Sequence, residues 1–475
     1  MTLEVERKFA LAQGQELPAL AGLGDPQRFA LRATYFDTLH FALTRARQVV
    51  RHRTGGSDDG WHVKLPGRDA EHRGEHHAPP QAPRLPAELR ELVAGTLAGQ
   101  ALVPVAQVRT GRRQSELRDA DGRLLALVCT DDVEATTALG TARWREAEVE
   151  LVGGDLGFLD EVTARLSSAG IHPAAGQSKI ARTLAEAIEV DDAAQAAPPS
   201  AAGVVLDYLA RQVGALQELE PGVLADDPDA VHRSRVATRR LRTALRTFRP
   251  LFDKRAVAGL RDELAWHAAE LGAPRDAEVL RDGLLQALDN LGVAADAAER
   301  EVIVRSLHEA HQAAHAELRE TMASRRYDAL HARLARWLAE PPLAQADPGP
   351  AAPILHGLLD RARGRIAALY TKALRDPEEP AGWHEVRKAA KAARYCSEAL
   401  EPVFGSRAEE HAAAWEAVTD ALGELQDSVV ARATIASLAG DSTVTGALLA
   451  YQVGRGRAEL ARGRKALDAA LAASL

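Results

Sequence analysis

A change of hydrophobic period partway along the chain limits the fold more than any other feature. Around 188–203 the sequence becomes Ala/Pro-rich and loses its apolar repeat, which reads as an interdomain linker. Before it, short strand-like segments follow one another between Gly, Asp and Pro: LEVERKFAL, ARQVVRHR, GWHVKLPG, RLLALVCT and REAEVELVG. Segments 86–100 and 155–170 read as helices, giving an antiparallel α+β pattern over 1–187. After the stretch, Ala, Leu and Arg recur at helical spacing, as in VVLDYLARQVGALQEL, so 204–475 is expected to be all-helical bundles. A length of 475 residues suits two or three domains.

The helical region reads as a duplication. His232 heads a basic helix and His384 heads another, 152 positions later. Leu271-Gly272 with Asp276 recurs as Leu422-Gly423 with Asp427, 151 positions later. A second break, AQADPGPAA at 344–352, separates halves at about 204–343 and 353–475.

Several function classes are disfavoured. No window approaches a transmembrane span, and Glu4, Glu6, Arg7 and Lys8 stand where a signal peptide needs apolar residues, so neither membrane insertion nor export is expected. Cys129 and Cys396 are too few and too far apart for a disulfide framework or thiolate metal site; a reducing cytoplasm fits. No Walker-type phosphate loop or GxSxG elbow is evident. The net charge of −8 argues against a generic nucleic-acid coat, yet residues 231–249 carry seven Arg and no acid. Such a local field is what a polyanion meets.

Two strands carry alternating acids. In a strand, Glu4, Glu6 and Lys8 share one face, and so do Glu146, Glu148 and Glu150. Carboxylates in a row repel unless a cation or solvent intervenes. Their oxygens suit Mg²⁺ or Mn²⁺. Other strands carry bases: Arg51 with Arg53, His62 with Lys64, and Arg109 with Arg112 or Arg113. Acids holding a metal and bases holding phosphate oxygens would close around a metal–polyphosphate complex.

These residues resemble the CYTH, or triphosphate tunnel metalloenzyme, family. The resemblance rests on Glu4-x-Glu6-x-Lys8, Tyr35-Phe36-Asp37-Thr38, Arg51-x-Arg53, Trp61-x-x-Lys64, the Glu146/Glu148/Glu150 strand and Ser178-Lys179-x-x-Arg182, in order over about 1–187. It implies an eight-stranded antiparallel tunnel barrel that hydrolyses or rearranges triphosphates with Mg²⁺ or Mn²⁺. It also implies Glu4, Glu6, Glu148 and Glu150 as metal ligands. Phosphates would be held by Lys8, Arg51, Arg53, Lys64, Arg109, Arg112, Lys179 and Arg182, and Glu4, Glu6 and Lys8 would be catalytic. Asp131 or Asp132 is a possible further ligand, and Arg112 or Arg113 could hold the inward register.

On a helix at about 100° per residue, His232, Arg235, Arg239 and Arg242 fall on one stripe. His384, Arg387, Lys391 and Arg394 repeat it, and Arg246 extends the first. The stripe is read as lacking the acidic i+4 partners of a merely solvated helix, which favours a polyanion site. The pieces Val231-His232-x-x-Arg235-x-x-x-Arg239-Arg240-Leu241-Arg242, Leu271-Gly-x-x-Arg275-Asp276, Trp383-His384-x-x-Arg387-Lys388-x-x-Lys391-x-x-Arg394-Tyr395 and Leu422-Gly423-x-Leu-Gln426-Asp427 resemble the CHAD domain, often fused to CYTH. That resemblance implies two pseudo-symmetric helical bundles whose basic surface binds inorganic polyphosphate. The expected activity is therefore an inorganic triphosphatase acting on tripolyphosphate, with a long-chain polyphosphate-binding domain. The alternatives are thiamine- or nucleoside-triphosphate hydrolysis, adenylate cyclisation, or a non-catalytic polyphosphate-binding protein; few aromatics are present to stack a base. His308, His311 and His315 share a helical face but read as incidental surface residues, and Glu71–His77 reads as a polar loop.

Overall fold

The computed structural model describes residues 2–67, 72–80, 82–174, 178–291, 297–344, 350–438 and 443–473. The chain divides into two compact units, Met1–Ala197 with Ala335–Glu340, and Pro198–Leu334 with Pro341–Leu475.

The first unit is a closed antiparallel barrel. Its strands are β1 (Thr2–Leu11), β2 (Gln27–Asp37), β3 (Val49–Thr54), β4 (Gly60–Pro66), β5 (His72–Ala78), β6 (Val103–Arg118), β7 (Leu124–Thr137) and β8 (Gly140–Leu151). The order around the barrel is β1-β5-β4-β3-β2-β6-β7-β8, and β1 closes it by pairing with both β5 and β8. Closure leaves no unpaired edge. The helices of this unit are α1 (Ala42–Arg45), α2 (Ala87–Glu91), α3 (Ala94–Leu97), α4 (Leu156–Ser168) and α5 (Lys179–Ala196).

The alternation of each strand separates two environments. Outward Phe9, Val128, Ala147 and Val149 pack under Leu159, Val162 and Leu166 of α4. Outward Val50, Trp61 and Val63 pack against Leu43, Leu89, Val93 and Leu97 around α1, α2 and α3. The inward residues are charged over much of the barrel. Ile180 and Leu184 of α5 pack with Tyr35, Val49, Val108, Val133 and Trp144 as an apolar floor. Asp37, buried in the Tyr35–Thr38 motif, accepts hydrogen bonds from the backbone N–H groups of Thr38, Leu43 and Thr44 and from the Thr44 hydroxyl. It therefore secures the entry to α1.

Two sequence readings are corrected here. The Glu71–His77 run is strand β5 from His72 onward, while Glu71 lies outside the described residues. It pairs with β1 and β4 and faces a polar interior, so no apolar alternation marks it. The helix α5 continues to Ala196, through most of the stretch read as a linker, before Ser200 caps the next helix.

The second unit is helical: α6 (Ala201–Ala225), α7 (Ala230–Thr247), α8 (Lys254–Glu270), α9 (Gly272–Leu291), α10 (Ala297–Met322), α11 (Arg325–Ala339), α12 (Ala351–Ala373), α13 (Pro380–Ala399), α14 (Glu401–Phe404), α15 (Ser406–Leu438) and α16 (Thr443–Ala472). Each half has its own core. Leu219, Val223, Val231, Leu271, Leu318 and Tyr327 form the first. Ile366, Trp383, Val386, Trp415, Leu422 and Leu467 form the second. The break read at 344–352 falls mainly on 345–349, outside the described residues. His311 and His315 are not surface residues: both are buried, with Nε2 of His311 3.0 Å from Asp226 and Nε2 of His315 2.7 Å from the Val223 carbonyl.

Candidate active site in the barrel and basic stripe in the helical unit

The barrel encloses a cavity of about 310 Å³. Glu6 and Lys8 enter it from β1, Arg51 and Arg53 from β3, Lys64 from β4, Arg112 from β6, Glu148 and Glu150 from β8 and Lys179 from α5. The register explains the grouping: Glu6 lies opposite Glu150 and Lys8 opposite Glu148. Of the two candidates on β6, Arg112 lines the cavity, whereas Arg113 reaches Glu16 at 3.3 Å.

Two of the expected phosphate ligands lie elsewhere. Arg109 has the outward parity of β6, its side chain is 69% exposed, and it lies 3.6 Å from Glu134. Arg182, on an exposed face of α5, stacks its guanidinium 4.8 Å from the Trp144 ring centre. The side chain of Glu4 lies outside the described residues.

At the α5 end, Asp131, Glu146 and Glu148 bring carboxylate oxygens within 4.8 Å of one another. The Lys179 ammonium stands among them, 2.9, 2.6 and 2.7 Å from Asp131, Glu146 and Glu148. A cation at the first helical position opposes the helix dipole. Here three carboxylates offset that cost, and Ser178 caps the helix by accepting from the Ala181 N–H. Arg112 joins the cluster with a forked contact, 2.9 and 2.7 Å to Asp131 and 2.5 Å to Glu148. Burial pushes the Glu148 carboxyl up, but Lys179, Lys8 and Arg112 outweigh it and hold the group well below the carboxylate range. Burial likewise pulls Lys179 down, and its carboxylate partners raise it well above the usual lysine value.

Nearer Glu6 the balance reverses. Burial pushes Glu150 above its ordinary value, and Glu6 and Glu148 add to the shift despite Lys64. Two further groups come into play that were not singled out as site residues. Glu75 contacts His62 at 2.8 Å and lies 3.6 Å from both Arg51 and Lys64. Burial depresses His62 to about 4 despite that bond, so it is neutral near pH 7. Tyr35 also lines the cavity, where Arg51 and Lys179 hold its phenol below the usual value against burial. Glu75 is reached through the Lys64↔Glu75 pairing, which only the register reveals.

Carboxylate oxygens are the donors offered to a cation here, a set suited to a hard divalent ion and unsuited to a soft metal. Asp131, Glu146 and Glu148 satisfy the test of proximity, and Glu6 with Glu150 offers a second pair.

In the helical unit, α7 and α13 bring the two His-led stripes together. Burial depresses the Lys391 ammonium to about 6, and Arg239, Arg387 and Arg235 deepen the shift. These four residues thus share one field. Burial also lowers His232 and His384, with Arg275 and Arg239 contributing at the first and Lys388 and Arg387 at the second. The stripe is not free of acids. Arg235 pairs with Asp276 at 2.6 Å, and Arg394 with Glu398 at 3.0 Å and Glu416 at 2.6 Å. Arg394 is therefore neutralised within its own half, while Arg242 lies in the field of Arg261.

The CYTH domain matches residues 2–184 and the CHAD domain residues 207–436. An uncharacterized protein of Mycobacterium tuberculosis strain H37Rv is 34% identical over 505 aligned residues, covering 99% of this chain and 96% of that protein; one from strain CDC 1551 matches equally. The chain belongs to this family, in which a CYTH domain is joined to a CHAD domain. CYTH domains are metal-dependent modules of phosphate chemistry, and the two domains are associated with triphosphate and polyphosphate binding in general. Solved structures similar to the chain include PptA from Streptomyces chartreusis, 25% identical over 57% of this chain and 99% of that chain, with a TM-score of 0.46. The CHAD domain from the plant Ricinus communis is 25% identical over 57% of this chain and 93% of that one, TM-score 0.48. A putative adenylyl cyclase from Hippeastrum, described as having a dominant triphosphatase activity, is 15% identical over 38% of this chain and 96% of that one, TM-score 0.26. No helix among the described residues is long and apolar enough to cross a membrane.

Proposed function

We propose that the barrel hydrolyses inorganic tripolyphosphate with Mg²⁺ or Mn²⁺ and that the helical unit binds long-chain polyphosphate. The observation that carries the reading is the convergence of Lys8, Arg51, Arg53, Lys64, Arg112 and Lys179 on one cavity with Glu6, Glu148 and Glu150. Glu4, Glu6, Glu148 and Glu150 would hold a divalent ion, which would supply charge neutralisation to the bound phosphate. The cations bind and align the chain, and Arg51, Arg53 and Arg112 neutralise charge growing on the leaving pyrophosphate. Water attacks the terminal phosphorus in line; the new P–O bond forms as the bond to the bridging oxygen breaks, and its electron pair leaves with pyrophosphate. A carboxylate of the cavity orients the water and accepts its proton. Lys391, Arg235, Arg239 and Arg387, with His232 and His384 at the ends of their stripes, hold the longer chain, and Arg242 extends it.

Phe29, Leu31 and Leu127 also line the cavity and favour a second reading, a triphosphate carrying an organic group. Phosphate release from tripolyphosphate, ATP and thiamine triphosphate with each metal separates the two. Tripolyphosphate should be turned over fastest, and Glu4→Gln with Glu6→Gln should lower the rate by orders of magnitude. A double variant as fast as the parent overturns the assignment.

A further inference from the structure

A second basic groove lies in the helical unit. Arg246 at the end of α7 and Arg249 in the turn after it face Arg361 and Arg365 of α12 and Lys388 of α13 across about 270 Å³. Glu385 is the lone acid in the lining, and it is held 2.9 Å from Lys388. Among the described residues Arg246, Arg249, Arg361 and Arg365 form no ion pair. The groove uses the face of α13 that carries Glu385, Lys388, Ala389 and Ala392. On a helix this face points well away from Lys391 and Arg387.

The internal repeat shows what is unusual about it. The 152-residue offset that relates His232 to His384 also relates Arg246 to Glu398 and Arg240 to Ala392. At one corner between α7 and α13, Glu398 receives Arg240 at 2.8 Å and Arg394 at 3.0 Å, and the Tyr208 hydroxyl donates to it at 3.4 Å. That corner is filled and self-neutralised. At the repeat-related corner between the same helices the acid is replaced by Arg246 and the filling arginine by Ala392. The exchange opens a groove and leaves Glu385, held by Lys388, as the one acid among five cations. An excess of clustered like charge destabilises a fold unless an anion offsets it. Guanidinium forks match phosphate oxygens in pairs, and a volume near the lower end of small-molecule sites suits a short ligand.

We propose that this groove, to which Arg246 belongs although its spacing reads as an extension of the first stripe, is a second anion site, distinct from the barrel and from the field shared by Arg235, Arg239, Arg387 and Lys391, which takes a short phosphate chain. An inorganic chain and the phosphate tail of a nucleotide share that chemistry, and Leu358 and Leu369 beside the cations offer a wall for an organic group. The site stands independently of the activity of the barrel.

The test is calorimetry on the full chain in chelator with tripolyphosphate, comparing the parent with Arg361→Glu/Arg365→Glu. One binding equivalent should be lost, or its affinity should fall at least about tenfold, the worth of one charge-assisted hydrogen bond. Tripolyphosphate hydrolysis should be unchanged. The milder Arg361→Gln/Arg365→Gln should weaken the same equivalent, and far-ultraviolet circular dichroism should show both variants folded. An ATP titration distinguishes the sources: loss of an ATP equivalent in the variant marks a nucleotide tail, and its absence an inorganic chain. Unchanged stoichiometry and affinity in both folded variants overturn the site. So does competition by sulfate as strong as by tripolyphosphate, the signature of a diffuse positive surface.

Discussion

Lys179 Nζ lies 2.7 Å from Glu148 Oε1, and the same ammonium contacts Asp131 and Glu146. It occupies the centre of the carboxylate group best placed to hold a cation. Lys179→Met would leave three buried acids without that charge, a loss of roughly 3–5 kcal/mol for a broken buried pair. Glu148 is held below the carboxylate range, so its contribution is present above its unfolded pKa and lost as pH falls through the low folded value. In Lys179→Met that acid-side loss should begin at higher pH. Mg²⁺ or Mn²⁺ should restore part of the melting temperature, and sodium at equal ionic strength should not. Thermal unfolding with and without each metal reads the effect; no recovery would remove the trio from consideration as a divalent site.

The two arginines Arg109 and Arg112 separate the inside of the barrel from the outside. Arg112→Ala should lower tripolyphosphate turnover by about 10²-fold or more, the scale of a lost charge-stabilising donor. Arg109→Ala should stay within about twofold, because an exposed pair with Glu134 contributes little. Steady-state phosphate release at saturating metal gives both values. Equal losses would mean that the register of β6 is misread.

These cases show what the one-dimensional pattern carries. Period-two alternation is a property of neighbouring residues, so Glu6 with Lys8, Arg51 with Arg53 and Glu148 with Glu150 were legible as faces before any fold was known. Which face points inward is a property of the closed sheet. Arg109 and Arg112 differ in parity, and the sequence alone left Arg112 and Arg113 undecided. Strand β5 escaped because a strand facing a charged interior has no apolar period, and Glu75 escaped with it. Tertiary partners were hidden for the same reason: Glu146 was visible, but the ammonium that neutralises it comes from α5. In the helical unit the duplication was legible from its offsets. The acids that neutralise Arg394 and the burial of His311 and His315 depend on how helices pack.

The path of α5 alters where the chain should be divided. Division after residue 187 severs α5, whose Ile180 and Leu184 floor the barrel and whose final turns continue to Ala196. A fragment of 1–197 should melt at higher temperature than one of 1–187 and should keep tripolyphosphate hydrolysis. Residues 198–475 should keep polyphosphate binding. Circular dichroism melts and activity of the fragments decide the matter; an insoluble 1–197 would place essential packing outside the barrel.

Lys391 supplies the final prediction. Its ammonium is depressed to about 6 by burial and by Arg239, Arg387 and Arg235, so the free protein holds it mainly neutral at pH 7.5. The unfolded chain binds that proton up to the ordinary lysine range, near 10.4. Between about 6 and 10.4 the unfolded state therefore carries more protons, and this residue makes stability rise with pH. Lys391→Met should remove that slope and stabilise the protein near neutrality. Polyphosphate reverses the local field and favours the charged ammonium. Binding at pH 7.5 should therefore take up close to one proton, and long-chain affinity should increase as pH falls toward 6. Calorimetry in two buffers of different ionisation enthalpy measures the uptake, which should vanish in Lys391→Met. Reversal of both Arg239 and Lys391 to Glu should weaken long-chain binding and flatten its salt dependence through lost counterion release, while leaving tripolyphosphate turnover intact. Proton uptake that survives in Lys391→Met would assign it to His232 or His384, whose imidazoles are also depressed by burial and nearby cations.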